Sequence, residues 1–190
     1  MSKTITIFGS SEPTEGDEEY QIAYNVGYEL AKAGYSICNG GYEGTMEASA
    51  KGAKDAGGKT CGVTTLQYSL RTKNQYIDEE IKTQTALERL ETLIEKGDGY
   101  VVLKGSTGTL AELSTTWEWI NKGIIPFRPI ILYGEFWLPT INTLKSNEPK
   151  KIDRRAKSRK KVTIDCINIA NTPKEVVEIL RNHFSERQKP

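Results

Sequence analysis

Short runs of β-branched and apolar residues alternate with longer amphipathic stretches along this chain, and that alternation constrains the fold more than any other feature. Residues 4–8, 35–38, 60–63, 100–103 and 129–132 read as strands, and a last strand falls at either 162–164 or 166–169. Helical periodicity covers 17–33, 45–56, 78–96, 109–122 and 136–144, and Pro173 opens a final helix that runs to about Phe184. Residues 64–77 read as a polar loop. Strands separated by helices pair in parallel, because each crossover must return the chain to the same end of the sheet. The expectation is an α/β fold: a doubly wound parallel sheet with helices on both faces. Its ligand crevice should lie outside the carboxyl ends of the strands.

At 190 residues the chain is sized for a single domain, 1–190. Its formal net charge of +1 gives no global attraction to nucleic acid or to a membrane surface. The charge is unevenly placed. Residues 150–161 hold eight Lys or Arg against one Asp, which leaves −6 on the remainder. No aromatic residue is interleaved there for base stacking, so the segment reads as a solvated loop and a nucleic-acid partner is disfavoured. Cys38, Cys61 and Cys166 are odd in number, far apart in sequence and without a CxxC. That pattern suits buried thiols better than a disulfide framework or a metal site. The N-terminus enters a strand with no apolar leader, and no apolar run reaches the length of a bilayer span. A cytoplasmic location without membrane contact is expected.

Three strands run directly into small residues and then a helix. These turns read Phe8-Gly9-Ser10-Ser11, Cys38-Asn39-Gly40-Gly41-Tyr42-Glu43-Gly44-Thr45 and Leu103-Lys104-Gly105-Ser106-Thr107-Gly108-Thr109. Glycine lets a backbone approach a ligand closely, and a helix start offers unpaired N–H groups with a partial positive charge. Gly9, Ser10, Gly40, Gly41, Gly44, Thr45, Gly105, Ser106, Thr107, Gly108 and Thr109 are therefore candidate phosphate-binding residues. Tight turns without a ligand are the alternative. The chain has no GxxxxGK[ST], so it is not a P-loop nucleotidase. Asn39 stands where GxGxxG needs its first glycine, and no acid follows the strand ending at Val63, which disfavours dinucleotide binding.

Glu112 falls in the first turn of the predicted helix after the third glycine-rich turn. Helical side chains lean back toward the N-terminus, so its carboxylate should point into the crevice. An ordinary helix N-terminal stabiliser is the equal alternative. Arg89, on the preceding helix, reads from its position alone as a surface arginine paired with an acid. Tyr42 reads either as a base-stacking side chain or as an exposed turn tyrosine, and Arg71 and Asn74 as loop residues within reach of a ligand. His183 reads as a solvated residue. Of Trp117 and Trp119, two positions apart, one should enter the core and the other lie at an interface.

The pattern GxxGTxxE at 105–112, the ERL-containing helix around Arg89, the strand ending YVVL, IFGSS at 7–11 and NGGYEGTMEA at 39–48 together resemble the LOG family. Its members are nucleoside 5'-monophosphate phosphoribohydrolases, often mislabelled lysine decarboxylases. The resemblance covers about residues 3–138. It implies a Rossmann-like fold, a homodimer and a nucleoside monophosphate ligand of the AMP or cytokinin riboside type. It also implies hydrolysis to free base and ribose 5-phosphate with no cofactor and no metal. By position Arg89 is the catalytic arginine and Glu112 the catalytic glutamate. Lys104 replaces the motif's proline, Ser106 its second glycine, and Leu90 the basic residue after the arginine. A non-catalytic nucleotide or molybdenum-cofactor carrier on the same fold is the alternative function.

Overall fold

A computed structural model of the protein describes residues 2–147 and 166–186. The basic segment at 150–161 and the alternative strand at 162–164 lie outside the described residues. The elements are β1 (Thr4–Phe8), α1 (Glu18–Lys32), β2 (Ser36–Asn39), α2 (Thr45–Asp55), β3 (Thr60–Thr65), β4 (Glu79–Thr83), α3 (Ala86–Lys96), β5 (Gly99–Val102), α4 (Thr107–Lys122), β6 (Ile130–Tyr133), α5 (Leu138–Asn147), β7 (Ile167–Ala170) and α6 (Pro173–Glu186). The strands form one sheet in the order β4-β3-β2-β1-β5-β6-β7, and every pairing is parallel.

Period-two alternation along the strands builds two cores, one on each face. Ile5, Ile7, Val101 and Ile131 point toward α1, α2 and α6, where they meet Val26, Leu30, Val176 and Leu180. Phe8, Tyr100, Val102, Ile130 and Leu132 point the other way, toward α3, α4 and α5, against Leu93, Ile94, Leu113, Trp117 and Trp137. The helices thus cover both faces, and the fold is the Rossmann-like α/β expected. The winding reverses between β1 and β5, which are neighbours in the sheet. Chain leaving β1 turns to one face and chain leaving β5 turns to the other, which opens a crevice at their carboxyl ends.

One element departs from the sequence expectation. The predicted helix at 78–96 is divided into strand β4 and helix α3. Glu79, Glu80 and Lys82 are exposed, Ile81 is half-buried and Thr83 is buried. β4 is thus a charged edge strand, and such charge protects an open edge. α3 begins later, where Thr85 and Glu88 form a reciprocal capping box. The link from β3 to β4 contains no helix. Its first half, after Thr65, stays at the carboxyl edge of the sheet and becomes a wall of the crevice.

Candidate active site

The carboxyl ends of β1, β2, β3 and β5 surround a cleft of about 440 Å³. Gly9 and Ser10 come from the turn after β1, Tyr42 and Met46 from the β2–α2 connection, and residues 67–71 from the loop after β3. Arg89 comes from α3, and Ser106, Gly108, Thr109 and Glu112 from the start of α4.

Glu112 sits in the second turn of α4, not the first. The helix begins at Thr107 with Ser106 as its N-cap, two residues earlier than predicted, and no acid occupies its first turn. The Glu112 side chain retains 15% exposure, and its Oε1 lies 4.0 Å from Nη1 of Arg89. Burial raises its carboxyl from the usual 4.5 to about 7, and the Arg89 charge offsets only part of that rise. The group is therefore poised to change charge near neutrality, as a general acid or base requires.

Arg89 is not a surface arginine. Its side chain is 12% exposed. Nε donates to the Val63 carbonyl at 2.7 Å, and Nη2 donates to the Gly40 carbonyl at 3.1 Å. The guanidinium lies 5.3 Å from the Tyr42 ring and 5.8 Å from the Tyr68 ring. A side chain at residue 40 would collide with it, so Gly40 makes room for the arginine. With Nε and Nη2 engaged by backbone, Nη1 is the nitrogen nearest Glu112.

The β2–α2 turn is knitted to the protein itself. Asn39 is fully buried. It donates to the Met46 carbonyl at 2.8 Å and to Ser49 Oγ at 3.1 Å, while its Oδ1 accepts from the Gly41 N–H at 2.9 Å. Both the N–H and the hydroxyl of Thr45 donate to the Ser10 carbonyl, at 2.9 and 3.0 Å. Gly44 has φ +73° and presses against the backbone of Ser10 and Ser11, where no side chain fits.

The β5–α4 turn is left open. Ser106 makes no side-chain cap, and the first helical bond runs from the Leu110 N–H to the Ser106 carbonyl at 2.9 Å. The N–H groups of the first helical turn therefore have no partner within the helix. A side chain at Gly108 would meet nothing within 4 Å. Ser106 has φ −114° and ψ −148°, an extended conformation that serine adopts without strain. Lys104 pairs with Glu19 of α1 at 2.6 Å.

Gly9, Ser10, Arg89, Ser106, Gly108, Thr109 and Glu112 are thus brought together, whereas Gly40, Gly41, Gly44, Thr45, Gly105 and Thr107 are not among the lining residues. Tyr42 is no exposed turn residue: it is buried, and its hydroxyl accepts from the Thr65 N–H at 2.9 Å. Arg71 stands at the mouth, 3.4 Å from Ser11 Oγ. Asn74 braces the turn instead, donating to the carbonyls of Gly41 and Tyr42. His183 is half-buried and stacks on Phe127, a packed position rather than a solvated one. Trp117 is buried and Trp119 half-buried in the α4 core. Ser11, Glu12, Met46 and Gln67 to Leu70 also line the cleft and were not singled out from sequence. The signal for the loop residues was their place after a strand's carboxyl end.

Among the described residues, no group of three or more His, Cys, Asp or Glu is placed to hold a metal, and no helix is long and apolar enough to cross a membrane.

Residues 2–174 match the family model LDcluster4, described as the SLOG cluster4 family. An uncharacterised protein of Archaeoglobus fulgidus is 36% identical over 110 residues, 58% of this chain and 70% of that protein. A Mycobacterium tuberculosis protein named cytokinin riboside 5'-monophosphate phosphoribohydrolase is 33% identical over 116 residues, 60% of this chain and 62% of that protein. The match therefore spans less than two thirds of that relative's length. Among solved structures, TM1055 shares a TM-score of 0.72 and 26% identity, covering 95% of this chain and 99% of that one. A molybdenum cofactor binding protein from Rippkaea orientalis gives a TM-score of 0.74 at 21% identity over 97% and 98% of the two chains. The second likeness is one of fold.

Proposed function

The chain belongs to the SLOG cluster4 family, and we propose that it hydrolyses the N-glycosidic bond of a nucleoside 5'-monophosphate of the AMP or cytokinin riboside type. The observation that carries this reading is the desolvated Glu112 carboxyl, 4.0 Å from an arginine held by two backbone carbonyls. In this reading the 5'-phosphate sits on the open N–H groups at the start of α4. That placement brings the ribose toward Glu112, one helical turn further on. Departure of the base leaves oxocarbenium-like positive charge at C1', which the Glu112 carboxylate stabilises. The same carboxylate orients or deprotonates the water that adds to C1', and free base and ribose 5-phosphate result. Arg89 fixes the carboxylate and contributes its Nη1 to the ribose or phosphate. No step calls for a metal or an organic cofactor.

Incubation with AMP, followed by chromatography of the free base, tests the reading. Base released by the parent protein and not by Glu112→Gln supports it. A second reading, a nucleotide or molybdenum-cofactor carrier, is favoured by the altered Lys104-Gly105-Ser106 start. It predicts that AMP raises the melting temperature with no base released. The proposal includes a homodimer. Leu87 on α3 and Ile124 just after α4 are 78% and 62% exposed apolar residues on one layer, which a second copy would cover. Sedimentation of the protein tests that part.

A further inference from the structure

Two thiols stand in register behind the arginine of the cleft. Cys38 on β2 and Cys61 on β3 are direct partners in a parallel pair. Both pack into the core on the α3 side of the sheet, Cys38 fully buried and Cys61 half-buried, and both are free. Their side chains lie within hydrogen-bonding reach of each other. Neighbouring strands run about 4.8 Å apart, inside the Cα separation that disulfides span. Each cysteine also lies two residues before a carbonyl that holds Arg89. Cys38 precedes Gly40, and Cys61 precedes Val63.

We propose that Cys38 and Cys61 are a modification site for peroxides, and that their oxidation to a disulfide loosens the grip on Arg89. Cys61 is the entry point, because it is the more exposed of the two. The Cys38 hydrogen bond also lowers its thiol below the usual range, which favours the attacking thiolate. The Cys61 thiolate attacks one oxygen of hydrogen peroxide, the O–O bond breaks, and sulfenic acid and one water form after proton uptake. The Cys38 sulfur then attacks the sulfenic sulfur, and hydroxide leaves as a second water with the Cys38 proton. Two thiols lose two electrons to one peroxide. A relaxed disulfide most often holds its Cα atoms about 5.5–6 Å apart, wider than the roughly 4.8 Å between neighbouring strands. The link therefore pries β2 and β3 apart just upstream of both carbonyls.

The test treats the full chain with hydrogen peroxide, then denatures it, alkylates it and maps it by mass spectrometry. Cys166 lies at the opposite end of the sheet order, on the residue before β7, and serves as the internal control. The expected result is one alkylated cysteine, Cys166, and a peptide joining residues 38 and 61 that dithiothreitol releases. Hydrogen exchange over residues 39–46 and 62–65 should rise several-fold in the oxidised protein and return on reduction. Cys61→Ser should show neither change. Three alkylated thiols, or sulfinic acid on Cys61 without the link, would overturn the site. A link with unchanged exchange would overturn its coupling to Arg89. These readouts need no nucleotide, so they stand apart from the fate of the hydrolase reading.

Discussion

The β2–α2 and β5–α4 turns look alike in sequence, since each follows a strand, carries several glycines and has a Gly-Thr pair at or just inside the start of a helix. Their donors are used differently. In the first, the Gly41 N–H goes to Asn39, and the Thr45 N–H and hydroxyl both go to Ser10. Neither helix has a side-chain N-cap, but in the second the first turn holds no acid, where α2 has Glu47, and Gly108 faces empty space. A glycine-rich strand-to-helix turn is thus not by itself an anion site. What decides is whether its N–H groups already have partners, and in the first turn Asn39 and the Ser10 carbonyl already hold those of Gly41 and Thr45.

The largest expected effect tests the chemistry beside the open turn. Glu112→Gln should lower base release from AMP by roughly 10²–10⁴-fold, the usual contribution of a positioned acid or base. AMP should still raise the variant's melting temperature. In the parent, release should increase as pH rises through about 7, because the ionised carboxylate is the active form. A rate that falls through that range would assign Glu112 the opposite role, as proton donor to the base.

Next in size is a stability effect at the same residue. Glu112 holds its proton to about pH 7 in the folded protein, against the usual 4.5. Below 4.5 both folded and unfolded states are protonated and burial of the carboxyl carries no ionisation penalty. Between 4.5 and 7 the unfolded chain ionises first, and the fold loses stability as pH rises. Above 7 the penalty is complete, on the order of 3 kcal/mol. Glu112→Gln should therefore gain stability relative to the parent between pH 5 and pH 8, read from denaturant midpoints. An equal difference at both pH values would contradict the raised ionisation.

The closed turn should respond in stability. Asn39→Ala removes three buried hydrogen bonds and leaves the Gly41 N–H unpaired, while the Met46 carbonyl keeps the Ser49 hydroxyl at 3.1 Å. A loss of about 2 kcal/mol is expected. The smallest effect has two opposite signs. Gly108→Ala fits in open space and favours the helix by about 0.5–1 kcal/mol. It should nevertheless weaken AMP binding about tenfold, because the methyl group occupies the approach to the N–H groups. Unchanged binding, measured by calorimetry, would erase the contrast between the turns.

The layers of the fold are legible in the chain because their residues alternate cleanly: Ile5 and Ile7 serve one face, Phe8 and Val102 the other. β4 is not legible because an edge strand with one inward apolar residue, Ile81, carries a helix-like charge pattern. The Thr85-to-Glu88 capping signal was present in the sequence and marks where α3 truly starts. Within the candidate site, the positions of Arg89 and Glu112 follow from the motif at 105–112 and the helix before it. Their states do not. The hold of Val63 and Gly40 on Arg89 and the burial around Glu112 arise from chain segments far apart in sequence. Asn39 illustrates the same limit. As a letter it is a departure from a glycine motif, and in the fold it ties the Gly41 N–H, the Met46 carbonyl and the Ser49 hydroxyl together.

The most direct measurement is a crystal structure of Glu112→Gln with AMP bound. The account predicts phosphate oxygens accepting hydrogen bonds from the backbone N–H groups of residues 106–109. It also predicts the ribose C1' within roughly 3–4 Å of the side chain at residue 112, the approach that reaction requires. Phosphate seated on the β2–α2 turn, or a ribose directed away from residue 112, would contradict it.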